Sequence, residues 1–348
     1  MIDRIFLQPD YSVSRIIKGG WHLAGGHGNI DENTAIEDMR AFVEAGITTF
    51  DCADIYTGVE ELIGRFLKKY KNQFDSGELP KVQVHTKYVP DYDALETLSK
   101  KETTAIIDRS LQRLGVERLD LVQFAWWDYS KGNFVETAVH LSELQAAGKI
   151  RYIGITNFNT EAIQKMLDAG VSIVSNQTQY SILDHRPERA MTAICEKHQI
   201  HYLCYGVLAG GFLSDRYLDA PDPSQPLENR SLTKYRLIID EFGGYEAFQE
   251  ALKVLRKIAN QYQVGIAEVA THYTLQKPMV AAAIIGARNR KHLSRLAQLA
   301  SFELSSEDLA AIAALVGQAH GPGGPVYDLE RDKTGKHGRI MKYNLNSD

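Results

Sequence analysis

Short, almost continuously apolar runs alternate along the chain with longer stretches in which apolar residues recur every three to four positions. The short runs cover residues 15–17, 48–51, 82–87, 119–124, 152–156, 173–177, 201–205 and 281–285. Their β-branched character and lack of a polar face predict parallel strands covered on both sides. The longer stretches read as amphipathic helices closed by glycine: 105–114 ends at Gly115, 34–45 at Gly46, 134–147 at Gly148 and 161–169 at Gly170. The residue just past a helix takes left-handed backbone angles, which glycine adopts without steric penalty. Strand, helix, glycine, strand is the grammar of βαβ units. Eight repeats of it predict an α/β fold, a (β/α)8 TIM barrel forming a single domain, with the barrel over about 14–300 and a C-terminal helix and tail over 305–348.

Two segments break the rhythm. From Gly211 to about Arg236 the chain is polar and carries Pro221, Pro223 and Pro226. This predicts a long loop after the seventh strand, of the kind that is functional or mobile in compact domains. The tail from Gly321 onward lacks periodicity and carries Arg331, Lys333, Lys336, His337, Arg339 and Lys342. It reads either as a disordered end or, through Val326-Tyr327 and Ile340-Met341-Lys342-Tyr343, as a docked strap.

Composition narrows the class. The 348 residues are 44% hydrophobic and 24% charged, which excludes a disordered or collagen-like chain. Lys plus Arg number 39 against 44 Asp plus Glu, a formal charge of -5 that gives no reason to expect nucleic acid or an anionic membrane as partner. No run approaches the ~18 apolar residues of a membrane span, and Met1-Ile2-Asp3-Arg4 does not open a signal pattern. Cys52, Cys195 and Cys204 are scattered and odd in number, which fits a reducing compartment and a cytoplasmic location.

Barrel active sites lie at the C-terminal ends of the strands. The second strand ends at Asp51, with Tyr56 shortly after, and the third ends at Lys87. An unperturbed tyrosine has a pKa near ~10 and is a poor acid at neutral pH. A lysine ammonium beside it favours the tyrosinate and lowers that value, and a buried carboxylate keeps the lysine charged. Such a tyrosine can give a proton to a carbonyl oxygen as negative charge develops there.

These residues carry a resemblance. The segment Thr49 to Tyr56, followed by Gly58-Val59-Glu60-Glu61-Leu62-Ile63-Gly64, resembles the signature of the aldo-keto reductase superfamily, and His85-Thr86-Lys87 its lysine strand. Ile153-Gly154-Ile155-Thr156-Asn157-Phe158, Ser175-Asn176-Gln177, Tyr205 to Gly211 and Ile285-Gly286-Ala287-Arg288-Asn289 are similar to four further family segments, in family order. The resemblance implies an NADP(H)-dependent oxidoreductase acting on a small-molecule substrate, with Tyr56 as general acid tuned by Lys87 and Asp51. It implies that Thr156, Asn157 and Gln177 hold the nicotinamide carboxamide and that Tyr205 stacks on the ring. Gly206, Leu208, Gly210 and Gly286 would border the cofactor. Arg288 would receive the adenosine 2′-phosphate, with His292 where other members have a second Arg or a Gln.

One departure stands out. Family members commonly end the fourth strand with a histidine that donates to the substrate carbonyl; here that position is Ala125. Losing one donor to a developing oxyanion costs roughly 3–4 kcal/mol. Three readings follow. Another donor replaces the histidine (Trp126, Trp127, His22, His27 or His337). Alternatively, NADP serves redox-neutral chemistry on a sugar, a lyase or epimerase. In the third reading the chain binds nucleotide with little turnover. Trp21 and His22 after the first strand, and Trp126 and Trp127 after the fourth, are expected to line the substrate pocket with Ala125. The His198–His201 pair spans a helix end and a strand start on the stability face, so no metal is expected. Gly25-Gly26-His27-Gly28 lacks the GxGxxG spacing and reads as a flexible first loop, while Cys52 reads as core.

Overall fold

A computed structural model describes residues 2–24, 30–223, 225–287 and 289–346. The chain opens with an antiparallel hairpin, β1 (Arg4–Gln8) and β2 (Tyr11–Ser14). Eight parallel strands follow: β3 (Ile16–Gly19), β4 (Thr49–Asp51), β5 (Gln83–Tyr88), β6 (Leu119–Phe124), β7 (Ile150–Thr156), β8 (Ile173–Gln179), β9 (His201–Tyr205) and β10 (Val280–Gly286). Each pairs with the next, and β10 pairs with β3, so the sheet closes into a barrel. All eight coincide with the apolar runs to within a few residues.

The helices form the outer layer. Lys100–Leu114 begins with a capping box, in which Ser99 and Glu102 satisfy each other's backbone N–H groups, and ends at Gly115 with φ 66°. Residues facing this layer, Cys52 among them, form one large apolar cluster between strands and helices. A smaller cluster fills the barrel's lower interior, where Leu7, Tyr11 and Val13 of the hairpin meet Ile17, Leu121 and Leu203. The hairpin thus plugs the N-terminal end of the barrel, with the Tyr11 hydroxyl 3.0 Å from His85 Nε2. The strand pattern does not predict this hairpin, because each of its strands is too short for alternation to register.

Two expectations are corrected or decided. The loop after β9 does not run to Arg236: a helix, Arg230–Phe242, begins after Asn229, whose side chain accepts from Leu232 N at 3.0 Å. Its Tyr235, Ile238, Ile239 and Phe242 pack on the helix Gly244–Tyr262 in a second apolar cluster. That period outweighs the preceding proline-rich run. The tail docks. Val326 and Tyr327 are buried, and Tyr343 O accepts from Tyr92 N at 2.9 Å. Asn346 Nδ2 donates to Val89 O at 2.7 Å. The tail therefore runs as a strap over the strand exits. Among the described residues no helix is long and apolar enough to cross a membrane.

Candidate active site

At the barrel mouth Asp51, Tyr56 and Lys87 come together. Asp51 ends β4 and Lys87 sits one residue before the end of β5, both pointing inward, and the turn after β4 brings Tyr56 back over them. Lys87 Nζ donates to Asp51 Oδ2 at 2.6 Å and to Cys52 O at 2.9 Å, and lies 4.9 Å from the Tyr56 ring centroid. Asp54, on the same turn, is buried and accepts from Val89 N at 3.1 Å, tying this turn to the exit of β5.

Two amides complete the Asp51 shell. Gln123 Nε2 donates to Asp51 Oδ1 at 2.8 Å, and Gln177 Nε2 donates to the same oxygen at 2.7 Å and to Gln123 Oε1 at 2.7 Å. A carboxylate only accepts, so it fixes which way both amides point. Gln177 Oε1 is left facing away from Asp51 as an acceptor. Gln123 carries no motif and sequence reasoning missed it; its signal was its place, inward-facing on β6 two residues before Ala125.

The electrostatics correct one expectation. Burial raises the Tyr56 pKa; Lys87 pulls it down and Asp51 pushes it up, and the net shift is upward. The lysine acts in the expected direction, but desolvation of the phenolate outweighs it. Burial also works against the Lys87 charge, yet Asp51 and Tyr56 together overcome it and hold its pKa above the usual lysine value.

A cavity of about 820 Å³ opens above this cluster. Its walls include Asp51, Tyr56 and Lys87, then Thr156, Asn157, Gln177, Tyr205, Gly206, Leu208, Gly210, Gly286 and His292, and also Trp21, His22, Ala125, Trp126 and Trp127. The described residues expected to act in catalysis, to hold the cofactor or to line the substrate pocket all border this one space. Arg288 and His27 lie outside the described residues. Asn157 has φ 61°, and its Oδ1 accepts from the Tyr205 hydroxyl at 2.8 Å, leaving its Nδ2 to donate elsewhere. Gly206, at φ 71°, packs so closely on Tyr235 that a Cβ would fall 2.5 Å from its hydroxyl. At Gly286 a Cβ would strike the His22 ring at 2.4 Å, so glycine there admits the imidazole to the cavity wall.

Three candidate replacements for the absent fourth-strand histidine are ruled out by their partners. Trp126 Nε1 donates to Asp128 O at 3.0 Å and to Lys131 O at 3.1 Å, and Trp127 Nε1 donates to Pro90 O at 2.9 Å. Both rings wall the cavity, but their N–H groups serve the loop backbone. His337 is buried against Glu241, with Nε2 3.1 Å from its carboxylate, and is not part of the cavity wall. His22 remains on it.

Sequence reasoning did not single out Ser214, Arg216, Arg230, Ser231 and Lys234 after β9, which line the cavity; the tail's Tyr327, Ile340 and Met341, which it named as docking groups, close the cavity together with Leu345. Among the described residues no group of three His, Cys, Asp or Glu is placed to hold a metal ion.

The model of the aldo/keto reductase family matches residues 15–316. The chain is 28% identical over 303 residues to the aldo-keto reductase YhdN of Bacillus subtilis, covering 85% of this chain and 88% of the relative. Among solved structures, an aldo-keto reductase of Bacillus halodurans in its holo form is 26% identical with a TM-score of 0.71, over 95% of this chain and 100% of that one. An aldo/keto reductase of Klebsiella pneumoniae, solved with NADP and acetate, shares the fold at 22% identity and a TM-score of 0.65, over 90% and 94% of the two chains. A family match across most of the chain, laid on a closed eight-stranded barrel, means that this chain belongs to the aldo/keto reductase family of oxidoreductases.

Proposed function

We propose that the chain is an NADP(H)-dependent oxidoreductase that interconverts a small carbonyl compound and its alcohol, with Tyr56 exchanging the proton at the substrate oxygen. The observation that carries this reading is the stack of Tyr56 on Lys87, with Lys87 held by Asp51 at 2.6 Å.

The groups present fit a nicotinamide dinucleotide. A carboxamide needs an acceptor for its NH2 and a donor for its oxygen. Gln177 Oε1 is turned outward because its Nε2 is committed to Asp51, and Asn157 Nδ2 is open because its Oδ1 is committed to Tyr205. Arg216 and Arg230, with Ser214 and Ser231, supply forked donors and hydroxyls suited to phosphate oxygens farther along the cavity. The preference for NADP rests on the basic exit of β10, where His292 and Arg295 line the cavity next to Arg288 in sequence. Bound there, the cofactor supplies or accepts the hydride.

The chain's own part is proton handling and exclusion of water. Tyr56, its hydroxyl kept protonated by burial, gives its proton to the substrate oxygen as charge develops there. Lys87 is then positioned to stabilise the phenolate left behind, and Asp51 with Gln123 and Gln177 keeps the lysine in place. Trp21 stands edge-on to Tyr56 with ring centroids 5.0 Å apart, and Trp127 and the tail close the far side against solvent.

Fluorescence titration with NADPH and NADH tests the cofactor. Tighter binding of NADPH is expected, and equal or reversed affinities would reject the NADP preference. Tyr56→Phe is expected to keep NADPH affinity and lose turnover by about 10²- to 10⁴-fold; retained turnover would remove Tyr56 from the mechanism.

A further inference from the structure

Arg331 is the last residue of a short helix, Asp328–Arg331, in the docked tail. Its Nη2 donates to Asn157 O at 2.7 Å and to Trp126 O at 3.1 Å. These carbonyls belong to the exits of two neighbouring strands, β7 and β6, the second one residue beyond Ala125. The guanidinium lies 4.3 Å from the Tyr129 ring centroid and 5.2 Å from that of Tyr327. Its Nε and Nη1 are buried and make no hydrogen bond among the described residues. Two carbonyls and two ring faces therefore hold this cation, with no carboxylate in its hydrogen-bonded shell.

What it holds is unusual backbone. Asn157 is in the left-handed region at φ 61°, which asparagine takes more readily than other non-glycine residues but which still favours a turn held by its contacts. Three contacts fix it: its N–H donates to Gln177 O at 3.0 Å, its Oδ1 accepts from Tyr205 and its carbonyl accepts from Arg331. Tyr129, the ring beneath the guanidinium, accepts from Asn159 N at 3.1 Å and clamps the same turn from its other end. The tail thus touches the element that orients both Asn157 and Tyr205.

We propose that Arg331 is a positioning residue for the reaction: by holding the Asn157 backbone it makes docking of the C-terminal tail a condition for aligning the nicotinamide ring. The inference rests on the proposed nicotinamide site. It adds that tail and ring are coupled through one guanidinium, so that the strap over the substrate side and the seat of the cofactor close as a unit.

The test compares the unaltered full-length protein with Arg331→Met, which keeps an apolar stem over Tyr129 but cannot donate, and Arg331→Lys, which can reach one carbonyl. Two quantities are read: the circular-dichroism band induced in bound NADPH at the nicotinamide absorption, and kcat against KM for an aldehyde. In Arg331→Met the band is expected to shrink or shift and kcat to fall about 10- to 100-fold, as for a misaligned reactant, while NADPH still binds. Arg331→Lys should recover part of both. Unchanged band and kcat in both variants would overturn the proposal. So would a rise in substrate KM alone with the band intact, because the tail would then only wall the pocket. If Arg331→Met does not fold, Arg331→Lys decides, and unaltered values of band and kcat in it overturn the proposal. No induced band in the unaltered protein would instead overturn the nicotinamide site on which the inference rests.

Discussion

The Lys87–Asp51 pair and the Arg186–Glu330 pair are both ion pairs whose side chains lie almost wholly out of water, with 6% and 5% exposure in the first and 1% on each side in the second. They are assembled from opposite kinds of information. Lys87 and Asp51 stand at adjacent strand exits, where the barrel frame alone brings them together. Arg186, in the turn after β8, binds Asp184 two residues away at 2.7 Å and then takes Glu330 from the tail, 144 residues on, at 3.0 Å. Lys234 joins at 3.8 Å from Glu330 while lying 5.0 Å from the Tyr205 ring centroid.

The difference is one of purpose as well as origin. Buried pairs seldom add net stability over apolar packing, but removing one partner is costly because the other is left uncompensated. At Lys87 the uncompensated charge would sit under the Tyr56 ring at the cavity floor. At Arg186 it would sit under the strap. The first pair shapes an electrostatic field at an open cavity, and the second staples the tail over it.

The sharpest way to break the comparison is Lys87→Met. It strips Asp51 of its cation and, on the proposed mechanism, Tyr56 of the group that would stabilise its phenolate. Turnover is expected to fall by about 10³-fold and stability by about 3–5 kcal/mol, read by steady-state kinetics and urea unfolding. Loss of turnover without loss of stability would mean that the pair is not structural at all. Next is Ala125→His, which restores a donor beside Tyr56. Reduction of a simple aldehyde is expected to rise by up to about 10²-fold; no rise would favour chemistry other than simple carbonyl reduction.

Glu330→Gln is expected to act on stability more than on chemistry, with about 2–3 kcal/mol lost in urea unfolding, since Arg186 keeps Asp184. The pH dependence gives the smallest effect. Burial alone would raise the Glu330 pKa, but Arg186 and Lys234 bring it down to about 2 from 4.5. A depressed carboxylate stabilises the fold above its unfolded pKa and loses that contribution as pH falls through the folded one. The staple is therefore expected to weaken from pH 4.5 down to about 2, and the Gln variant to show a flatter stability profile in that window.

How much of this was legible in the sequence follows the same division. All eight barrel strands and the helix ends at Gly46, Gly115, Gly148 and Gly170 were readable, because periodicity and glycine placement are local. The convergence of Asp51, Tyr56, Lys87 and Gln177 was readable because motif and strand frame agree. Gln123 was not, since an inward glutamine on a strand has no signature until its neighbours are placed. The helix at Arg230 was hidden by the proline-rich run before it. The docked tail stood as one of two readings, because its partners are distant in sequence, Arg186 144 residues and Val89 257 residues away. The direction of the Tyr56 shift was missed for a related reason: the lysine's pull can be read from a motif, but the depth of burial that opposes it cannot.

The most direct test of the account is transfer of deuterium from NADPH labelled at the nicotinamide C4 to an aldehyde, followed by mass spectrometry in the unaltered protein and in Tyr56→Phe. The account predicts label on the carbinol carbon with the unaltered protein and almost none with the variant, although both bind NADPH. Equal labelling by the two proteins would contradict it.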